Sequence, residues 1–378
     1  MNTNDEYSVT VVDSLDDVPE MDWQALAGEN PFVSYGFLRL LQSSGCVVPE
    51  TGWHPRFVLA HRGNELVAAA PCYLKTHSRG EFVFDQPWAR AFAEYGVRYY
   101  PKLVVSAPFT PVQGPRLLAR DAEARSILAQ AIRQLCDASD LSSVHALFID
   151  SRDRHALIEA GFNVREGVQF HWRNEGYRSM DDFLAALTRD KRKKLRQDSK
   201  YVADAGIRFQ WLEGAELLGQ HLEFFYACYS NTYAEHGSAP YLTLDFFKRA
   251  HKEQVLDIVL MLASRDDQPV ACALSVRGGD VLYGRYWGAM EFIKGLHFEA
   301  CYTQSVAYCI QNNIALFEGG AQGEHKMARG FMPVKTFSAH YIADTRFAAA
   351  IDGFLRRETQ AIDGYIGELE QGSPFRGN

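Results

Sequence analysis

Apolar and polar positions alternate along the chain in two rhythms, one with the period of strands and one with the period of helices. Near the start, the strand pattern at 9–12 is followed by helical patterns. A polar turn at 61–65 then separates two apolar runs, which predicts a β-hairpin. The first half is predicted to contain strands at 9–12, 57–60, 66–74, 81–85, 146–149 and 168–172 and helices at 15–27, 33–43, 121–136 and 154–160.

The second half repeats this alternation. Ser179 is a candidate N-cap and Gly206 a candidate C-terminal stop, which predicts one long helix over 183–205. Further strands are predicted at 207–212, 255–263, 269–276, 281–287 and 337–342, and further helices at 215–235, 244–250, 298–311 and 346–369. Helices and strands mixed in this order indicate an α+β fold.

The two halves resemble each other in one hairpin. The run at 57–70 and the run at 260–273 both place an apolar strand before a polar turn and a second strand rich in small residues. A weak repeat of about 170 residues is better explained by tandem domains of one fold than by a solenoid. The sequence therefore predicts two domains, at 1–176 and 177–378.

Composition and charge exclude several classes of protein. The chain has 378 residues, of which 47% are hydrophobic and 23% charged, and no apolar run approaches the roughly 20 residues that span a bilayer. The first residues are polar and acidic, so we expect a cytoplasmic protein. Seven cysteines without a CxxC pair indicate reduced thiols. A net charge of −8 argues against general coating of nucleic acid, so a polyanionic partner needs a local basic patch.

A basic stretch at 189–200 supplies that patch. Arg192 and Arg196 are spaced to form one stripe of the predicted helix, and Arg189 and Lys193 form a neighbouring stripe. Like charges stacked in this way repel, and an anionic ligand would relieve the repulsion. Phosphates of a tRNA, of CoA or of a nucleotide-linked precursor would serve equally. The alternative is a solvated helix face.

A glycine-rich segment at 317–331 carries the residues best suited to chemistry. It contains four glycines, which allow close approach of a ligand to the backbone. Lys326 and Arg329 are candidates for stabilising a developing negative charge, and Glu324 and His325 are candidates for moving a proton. Histidine has the better unperturbed pKa, whereas Glu324 would need burial. The alternative is a solvated hairpin.

Other candidates lie near this segment in the predicted order of strands. Tyr283 and Arg285 are predicted to share one face of a strand, with Tyr286 on the other. Arg285 is a candidate ligand or a partner of Glu318, because an arginine on a central strand needs compensation. His297 begins a predicted helix, where N–H groups favour anions. The sequence contains no HxxxH or CxxC motif of the kind that binds zinc. No metal site and no bound cofactor are predicted.

Several of these motifs resemble known families. The two hairpins are similar to the central hairpin of the GNAT (acyl-CoA N-acyltransferase) fold, and the run at 155–162 resembles the segment that closes a GNAT domain. Two such units, the second introduced by the basic run at 188–196, resemble the plan of the FemABX aminoacyltransferases. The segment at 320–326, which includes Gln322, looks like that of bacterial Fem-like proteins of the peptidoglycan biosynthesis/recognition type.

The resemblance implies acyl transfer with one of two donors. FemABX enzymes pass an amino acid from aminoacyl-tRNA to an amine of a peptidoglycan precursor, whereas GNAT enzymes pass an acyl group from acyl-CoA. CoA-dependent members hold the pyrophosphate with a glycine-containing turn, and of that turn only Gly295 is present at 291–298. The departure favours aminoacyl-tRNA as donor. The acceptor that the resemblance implies is an amine of a small molecule, a peptide or a peptidoglycan precursor. The alternatives are a CoA-dependent N-acetyltransferase and a non-catalytic module that binds a precursor or nucleotide.

Overall fold

The chain folds into two compact units. The computed structural model describes residues 7–320 and 323–376. The first unit combines the chain up to Gly167 with Lys335–Gly364, and the second combines Val168–Val334 with the chain from Tyr365 onward. This division differs from the predicted single boundary at residue 176, because two long strands and the last helix each run from one unit into the other.

The first unit contains most of the short elements. Its strands are β1 (Tyr7–Val12), β2 (Trp53–Pro55), β3 (Phe57–Arg62), β4 (Glu65–Ala70), β5 (Cys72–Lys75), β6 (Lys102–Val105), β7 (Leu118–Ala119), β8 (Ser143–Ala146) and the start of β9 (Asn163–Arg173). Its helices are α1 (Glu20–Ala27), α2 (Tyr35–Ser43), α3 (Gln86–Glu94), α4 (Ala122–Ala138) and α5 (Ser151–Glu159).

The second unit follows the same plan with longer strands. Its helices are α6 (Met180–Ala186), α7 (Arg189–Asp204), α8 (Gly219–Glu235), α9 (Leu244–Lys252), α10 (Leu296–Phe298) and α11 (Ser305–Gln311), with a π-helical turn (Glu299–Gln304) between the last two. Its strands are β10 (Ile207–Glu213), β11 (Asp257–Arg265), β12 (Gln268–Gly278), β13 (Val281–Ala289) and β14 (Leu316–Glu318). The strand β15 (Met332–Ile342) leads back to the first unit, and the helix α12 (Thr345–Gln371) begins in the first unit and ends in the second.

Each unit contains antiparallel strands that end in a parallel pair. In the second unit, β10 to β13 form an antiparallel meander and β13 then pairs with β14 in parallel. In the first unit, β2, β5 and β6 are antiparallel and β6 pairs with β8 in parallel. The helices α4 and α5 pack on the strands of the first unit, and α11 packs on those of the second unit. In each unit the core between them consists of buried aliphatic and aromatic side chains. The predicted hairpins are present as β3–β4 and β11–β12.

Several predicted elements differ from the structure, among them the strand expected at 66–74, which is divided into β4 and β5. Three further differences have a clear physical cause. The helix expected over 15–27 is a 3-10 turn followed by α1, because Pro19 interrupts the run. The strand expected at 81–85 is irregular: Phe82 has a φ of 59°, and Glu81 and Asp85 are both buried against Lys102. The helix expected over 183–205 is two helices, α6 and α7, because the backbone N–H of Thr188 donates to the Pro374 carbonyl instead of continuing the helix.

A buried ionic cluster holds the irregular segment in the first unit. Lys75 of β5 and Lys102 of β6 lie directly opposite each other, and both are fully buried. Lys102 binds Glu81 at 2.7 Å and also Asp85, whereas the Lys75 ammonium lies 3.6 Å from the centre of the Trp53 ring. Burial lowers the pKa of Lys75 to about 7. Like charges opposed across two strands are unfavourable, so this cluster is sensitive to protonation.

We expect Lys75 to make stability depend on pH in a defined direction. Between about pH 7 and pH 10.5 the unfolded chain holds the Lys75 proton and the folded chain does not, so stability rises with pH by at most about 1.4 kcal/mol per unit. The free energy of unfolding of the wild type, measured relative to that of Lys75→Met, should therefore increase from pH 7 to pH 10. Chemical denaturation at several pH values measures the difference.

The exposed Lys200, which pairs with Asp204 on the surface, provides the control. Its replacement by Met should leave the slope between pH 7 and pH 10 unchanged. Parallel pH curves for the wild type and Lys75→Met would contradict a depressed pKa at Lys75.

Candidate active site

The parallel strands β13 and β14 separate soon after they pair. Their pairing covers three positions, from Val281 opposite Leu316 to Tyr283 opposite Glu318, after which β14 ends and β13 continues. Beyond this point, no strand of the described residues lies beside the edge of β13 on that side. A gap between strands exposes backbone donors and acceptors, which must find other partners.

A β-bulge at this point changes which side chains share a face. Tyr283 lies opposite Val276, and Tyr286 lies opposite Leu274, two residues away on the same strand. Because paired residues point to the same side of a sheet, Tyr283 and Tyr286 share a face. The prediction that Tyr286 lies on the face opposite Tyr283 is therefore wrong, since Arg285 is the additional residue of a bulge that sequence alternation does not reveal.

A small cavity fills the gap between the strands. It has a volume of about 120 Å³ and lies entirely in the second unit. Both strands, the π-helical turn and the glycine-rich segment line it. Its lining includes Ser275, Gly284, Arg285, His297, Cys301, Tyr302, Gly319 and Gly320.

Lys326 lies beside this cavity. The glycine-rich segment leaves β14, forms a 3-10 turn at Glu324–Arg329 and enters β15. Within it, Lys326 is 2% exposed and its Nζ donates to the Gly320 carbonyl at 2.8 Å. Gly319 has no room for a side chain, because a Cβ there would lie 2.8 Å from the Phe331 ring. Burial lowers the pKa of Lys326 to about 8, so the ammonium and the amine are both accessible near neutral pH.

The two candidate histidines lie close to Lys326 and differ in exposure. Nε2 of His325 lies 3.0 Å from the Tyr302 hydroxyl, and its ring centre lies 6.3 Å from that of His297. Burial, followed by the nearby Lys326 and Arg329, lowers the pKa of His325. Burial lowers the pKa of His297 to about 4. Both rings are therefore neutral near pH 7, and neither is an anion-binding cation.

Glu324 is placed less favourably for proton transfer. Its side chain is exposed and accepts a hydrogen bond of 2.6 Å from the Tyr365 hydroxyl. The structure thus does not provide the burial that would raise its proton affinity. Gln322, also predicted as a substrate ligand, lies outside the described residues.

Arg329 connects the glycine-rich segment to α7. Its guanidinium donates to Asp198 at 2.8 Å and to the His325 carbonyl at 2.9 Å, and it lies 3.7 Å from the centre of the Phe298 ring. The side chain is 2% exposed. These contacts use the guanidinium to hold the turn in place, with the charge balanced by the Asp198 carboxylate.

The basic helix α7 presents its cations to solvent. Arg189, Lys193 and Arg196 are exposed, and Arg192 is half-buried with a 3.5 Å bond to the Leu184 carbonyl. Within the part of the chain that the structure describes, the first three make no ion pair. The predicted basic patch is therefore available on the surface of the second unit, and Lys194 on the same helix is close enough to lower the pKa of His325.

The two remaining predicted ligands flank the gap between the strands. Glu318 is 9% exposed and lies 3.9 Å from Nε2 of His171 on β9. Burial lowers the pKa of that histidine to about 4, so it is neutral. The guanidinium of Arg285 lies 5.3 Å from the centre of the Tyr286 ring and lines the cavity.

Sequence reasoning missed three residues of this site. Asp198, Tyr302 and His171 come from α7, the π-helical turn and β9, which are distant in sequence from the glycine-rich segment. Asp198 is one of three carboxylates in a helix with seven cations. An acidic residue in so basic a helix is a signal in the sequence that could have identified it. The π-helical turn shifts the helix register at Tyr302, and a period of 3.6 residues does not reveal this shift.

Across residues 7–320 and 323–376, no group of three or more His, Cys, Asp and Glu side chains is arranged to hold a metal ion. Over the same residues, a helix with the length and apolar character of a membrane span is lacking. All seven cysteines are thiols.

Antiparallel strands that end in a parallel pair in both units, together with the bulge beside the gap between β13 and β14, define a tandem GNAT-type fold. The chain belongs to the FemAB-like family, described as peptidoglycan biosynthesis/recognition, whose model matches residues 14–377. The resemblance that the sequence motifs indicated is thereby confirmed, as is the mixed α+β fold. At the general level, the family and fold are those of acyl- and aminoacyltransferases.

Solved structures show the same fold at low sequence identity. FemX matches with a TM-score of 0.54 and 12% identity over 92% of this chain and 100% of FemX. The C-terminal domain of a protein assigned as lysylphosphatidylglycerol synthetase from Agrobacterium fabrum matches with a TM-score of 0.54 and 10% identity over 89% of this chain and 95% of that domain. A conserved protein of unknown function from Bacteroides thetaiotaomicron matches with a TM-score of 0.51 and 11% identity, over 88% of this chain and 99% of that protein. No curated protein sequence matches the chain.

We expect the ion pair of Arg329 and Asp198 to support the fold of the second unit. Asp198→Asn leaves a guanidinium that is 2% exposed without its carboxylate, and the free energy of unfolding should fall by about 2 kcal/mol or more. Denaturant unfolding measures the loss.

Asp204→Asn is the matched control on the same helix, because Asp204 pairs with the exposed Lys200. It should cost less than about 0.5 kcal/mol. Equal losses for the two variants would show that the buried pair is not a structural support.

Proposed function

We propose that the protein is an aminoacyltransferase that moves an amino acid from aminoacyl-tRNA to an amine of a peptide or peptidoglycan precursor. The observation that carries the proposal is the position of Lys326, buried beside the cavity where β13 and β14 separate. The description of the family as peptidoglycan biosynthesis/recognition supports this class of acceptor.

The chemistry requires three tasks. The acceptor amine attacks the ester carbonyl and loses a proton, the carbonyl oxygen becomes negative, and the ribose oxygen leaves with a proton. The Lys326 ammonium is suited to stabilise the oxyanion, because burial strengthens its interaction with a developing charge. His325 is a neutral base with a Tyr302 hydroxyl at 3.0 Å, a pair that can take a proton and return one.

The loop at 290–295 supports aminoacyl-tRNA over acyl-CoA as donor. Glu291 is an acid in the turn where CoA-dependent relatives bind pyrophosphate, and it already binds Arg265 at 2.6 Å and 2.8 Å. The exposed cations of α7 offer sites for the tRNA phosphates. Both donors are made in the cytoplasm, which is where we place the reaction.

The separated strands also favour the second candidate, a CoA-dependent N-acetyltransferase, because a thioester could enter the same gap. Mass spectrometry of reactions that contain charged tRNA, acetyl-CoA and candidate amines distinguishes the two donors. Transfer from charged tRNA alone is the expected result. Transfer from acetyl-CoA alone would reassign the donor, and binding without transfer from either donor would indicate a non-catalytic module.

We expect Lys326→Ala to lower kcat by about 100-fold or more with the fold intact, which is the usual loss on removing one oxyanion-stabilising donor. Initial rates at saturating donor and thermal unfolding measure the two properties. Lys335→Ala, which removes a half-exposed lysine from a surface ion-pair group in the first unit, is the control and should keep its kcat. Unchanged turnover in Lys326→Ala would exclude this lysine from the reaction.

The pH dependence of the rate identifies the form of Lys326 that acts. If the ammonium is the active form, kcat falls as pH rises through about 8, because the folded lysine loses its proton there. Lys326→Arg keeps a charge at higher pH and should remove this alkaline limb from the profile. A rate that instead rises through pH 8 would assign Lys326 as the base.

A further inference from the structure

One aromatic side chain of the second unit is almost fully exposed. Phe292 lies in the loop between β13 and α10 and has 95% of its surface accessible, and Met290 in the same loop is 53% exposed. An isolated exposed apolar residue is common, so exposure by itself assigns nothing. This loop differs from an ordinary exposed loop in two ways: its backbone is anchored on both sides of Phe292, and a basic surface lies next to it.

The loop is held firmly on both sides of Phe292. The Met290 N–H donates to the Val270 carbonyl at 2.9 Å, and Glu291 binds Arg265 through both carboxylate oxygens. On the other side, Gly295 has a φ of +82° and lies so close to α7 that a Cβ would be 3.2 Å from the Asp198 carbonyl oxygen. Phe292 is therefore an aromatic ring on a rigid support, and it loses little conformational freedom when it binds a flat ligand.

A basic surface leads from this loop to the reaction centre. The Lys294 ammonium lies 4.0 Å from the centre of the Tyr201 ring on α7. Lys194 precedes Tyr201 by seven residues, so it lies on the same side of the helix about 10 Å away, and it is near enough to His325 to lower its pKa. The surface from Phe292 through Lys294 and Lys194 thus ends beside Lys326.

We propose that Phe292 is a stacking platform for a nucleobase of the acyl donor, with Lys294 and the α7 cations as sites for its phosphates. The proposal rests on the proposed function and adds a binding subsite to it. Both candidate donors offer this chemistry, because the single-stranded end of a tRNA and CoA each carry an adenine base and phosphates. Stacking of a base on an aromatic ring is tolerant of sequence, which suits a phenylalanine ring because it has no hydrogen-bonding group of its own.

A membrane surface is the competing partner for such a loop. Peripheral membrane binding combines cations with several inserted apolar side chains. Here Phe292 and Met290 are the two strongly exposed apolar residues of the loop, and the basic surface continues toward the reaction centre rather than around the loop. These observations favour a nucleotide.

Direct binding tests the proposal without requiring turnover. The probes are a fluorescein-labelled single-stranded RNA that ends in CCA, and CoA as its competitor. Phe292→Ala should weaken binding of one or both by about tenfold or more, and Phe292→Trp should restore it, because stacking alone is at issue. Phe84→Ala, which removes a 57% exposed phenylalanine from the first unit, is the control and should bind like the wild type.

Each outcome decides the proposal. Loss confined to the RNA probe, or confined to CoA, supports the platform and identifies the donor. Equal affinities of the wild type and Phe292→Ala, or no binding of either probe by the wild type, overturn it. Loss of binding to phosphatidylglycerol vesicles with unchanged nucleotide binding overturns it in favour of a membrane contact. A protein that binds nucleotide through Phe292 and transfers nothing would keep the platform and exclude the enzymatic function, so the two proposals fail separately.

Discussion

The charge of Arg329 is the constraint on which the second unit depends. A guanidinium does not give up its proton, so when its side chain is buried a carboxylate and oriented carbonyls must balance it. Asp198 and the His325 carbonyl supply these groups. Because Asp198 belongs to α7, this ion pair links the basic helix to the glycine-rich segment. The geometry around Lys326 follows from that pair, since Lys326 lies between the two anchored residues His325 and Arg329.

The gap between β13 and β14 is the second constraint. Parallel strands that separate leave backbone groups to be satisfied by something other than a strand. The π-helical turn, the Gly320 carbonyl and the Lys326 ammonium close this gap from one side. At the same place, the bulge at Arg285 changes which side chains of β13 share a face of the sheet. Irregular backbone and a buried lysine therefore occur together, where a regular sheet would leave no space for a ligand.

The sequence was sufficient for features that depend on local pattern. Alternation in the hairpins, the cap of α6 at Ser179 and the glycines of the 317–331 segment led to the mixed fold, the tandem arrangement and the family. The sequence was insufficient where a contact between residues distant in the chain determined the local structure. The burial of Glu81 and Asp85 on Lys102 prevented a strand, and the Thr188 bond to Pro374 divided one expected helix into two. The bulge at Arg285 and the π-helical turn each add a register shift that no periodic pattern reveals.

Two buried lysines, Lys102 in the first unit and Lys326 in the second, are held in opposite ways. Burial lowers the pKa of Lys102, but the carboxylates of Glu81 and Asp85 raise it further, so this lysine remains a permanently charged part of an ion-pair cluster. Lys326 binds a backbone carbonyl, and its pKa falls to about 8. A lysine locked by two carboxylates cannot respond to a charge that develops on a substrate, because its own charge is already neutralised. Lys326, which donates to a neutral carbonyl, keeps that capacity, and it lies where the strands of the second unit separate.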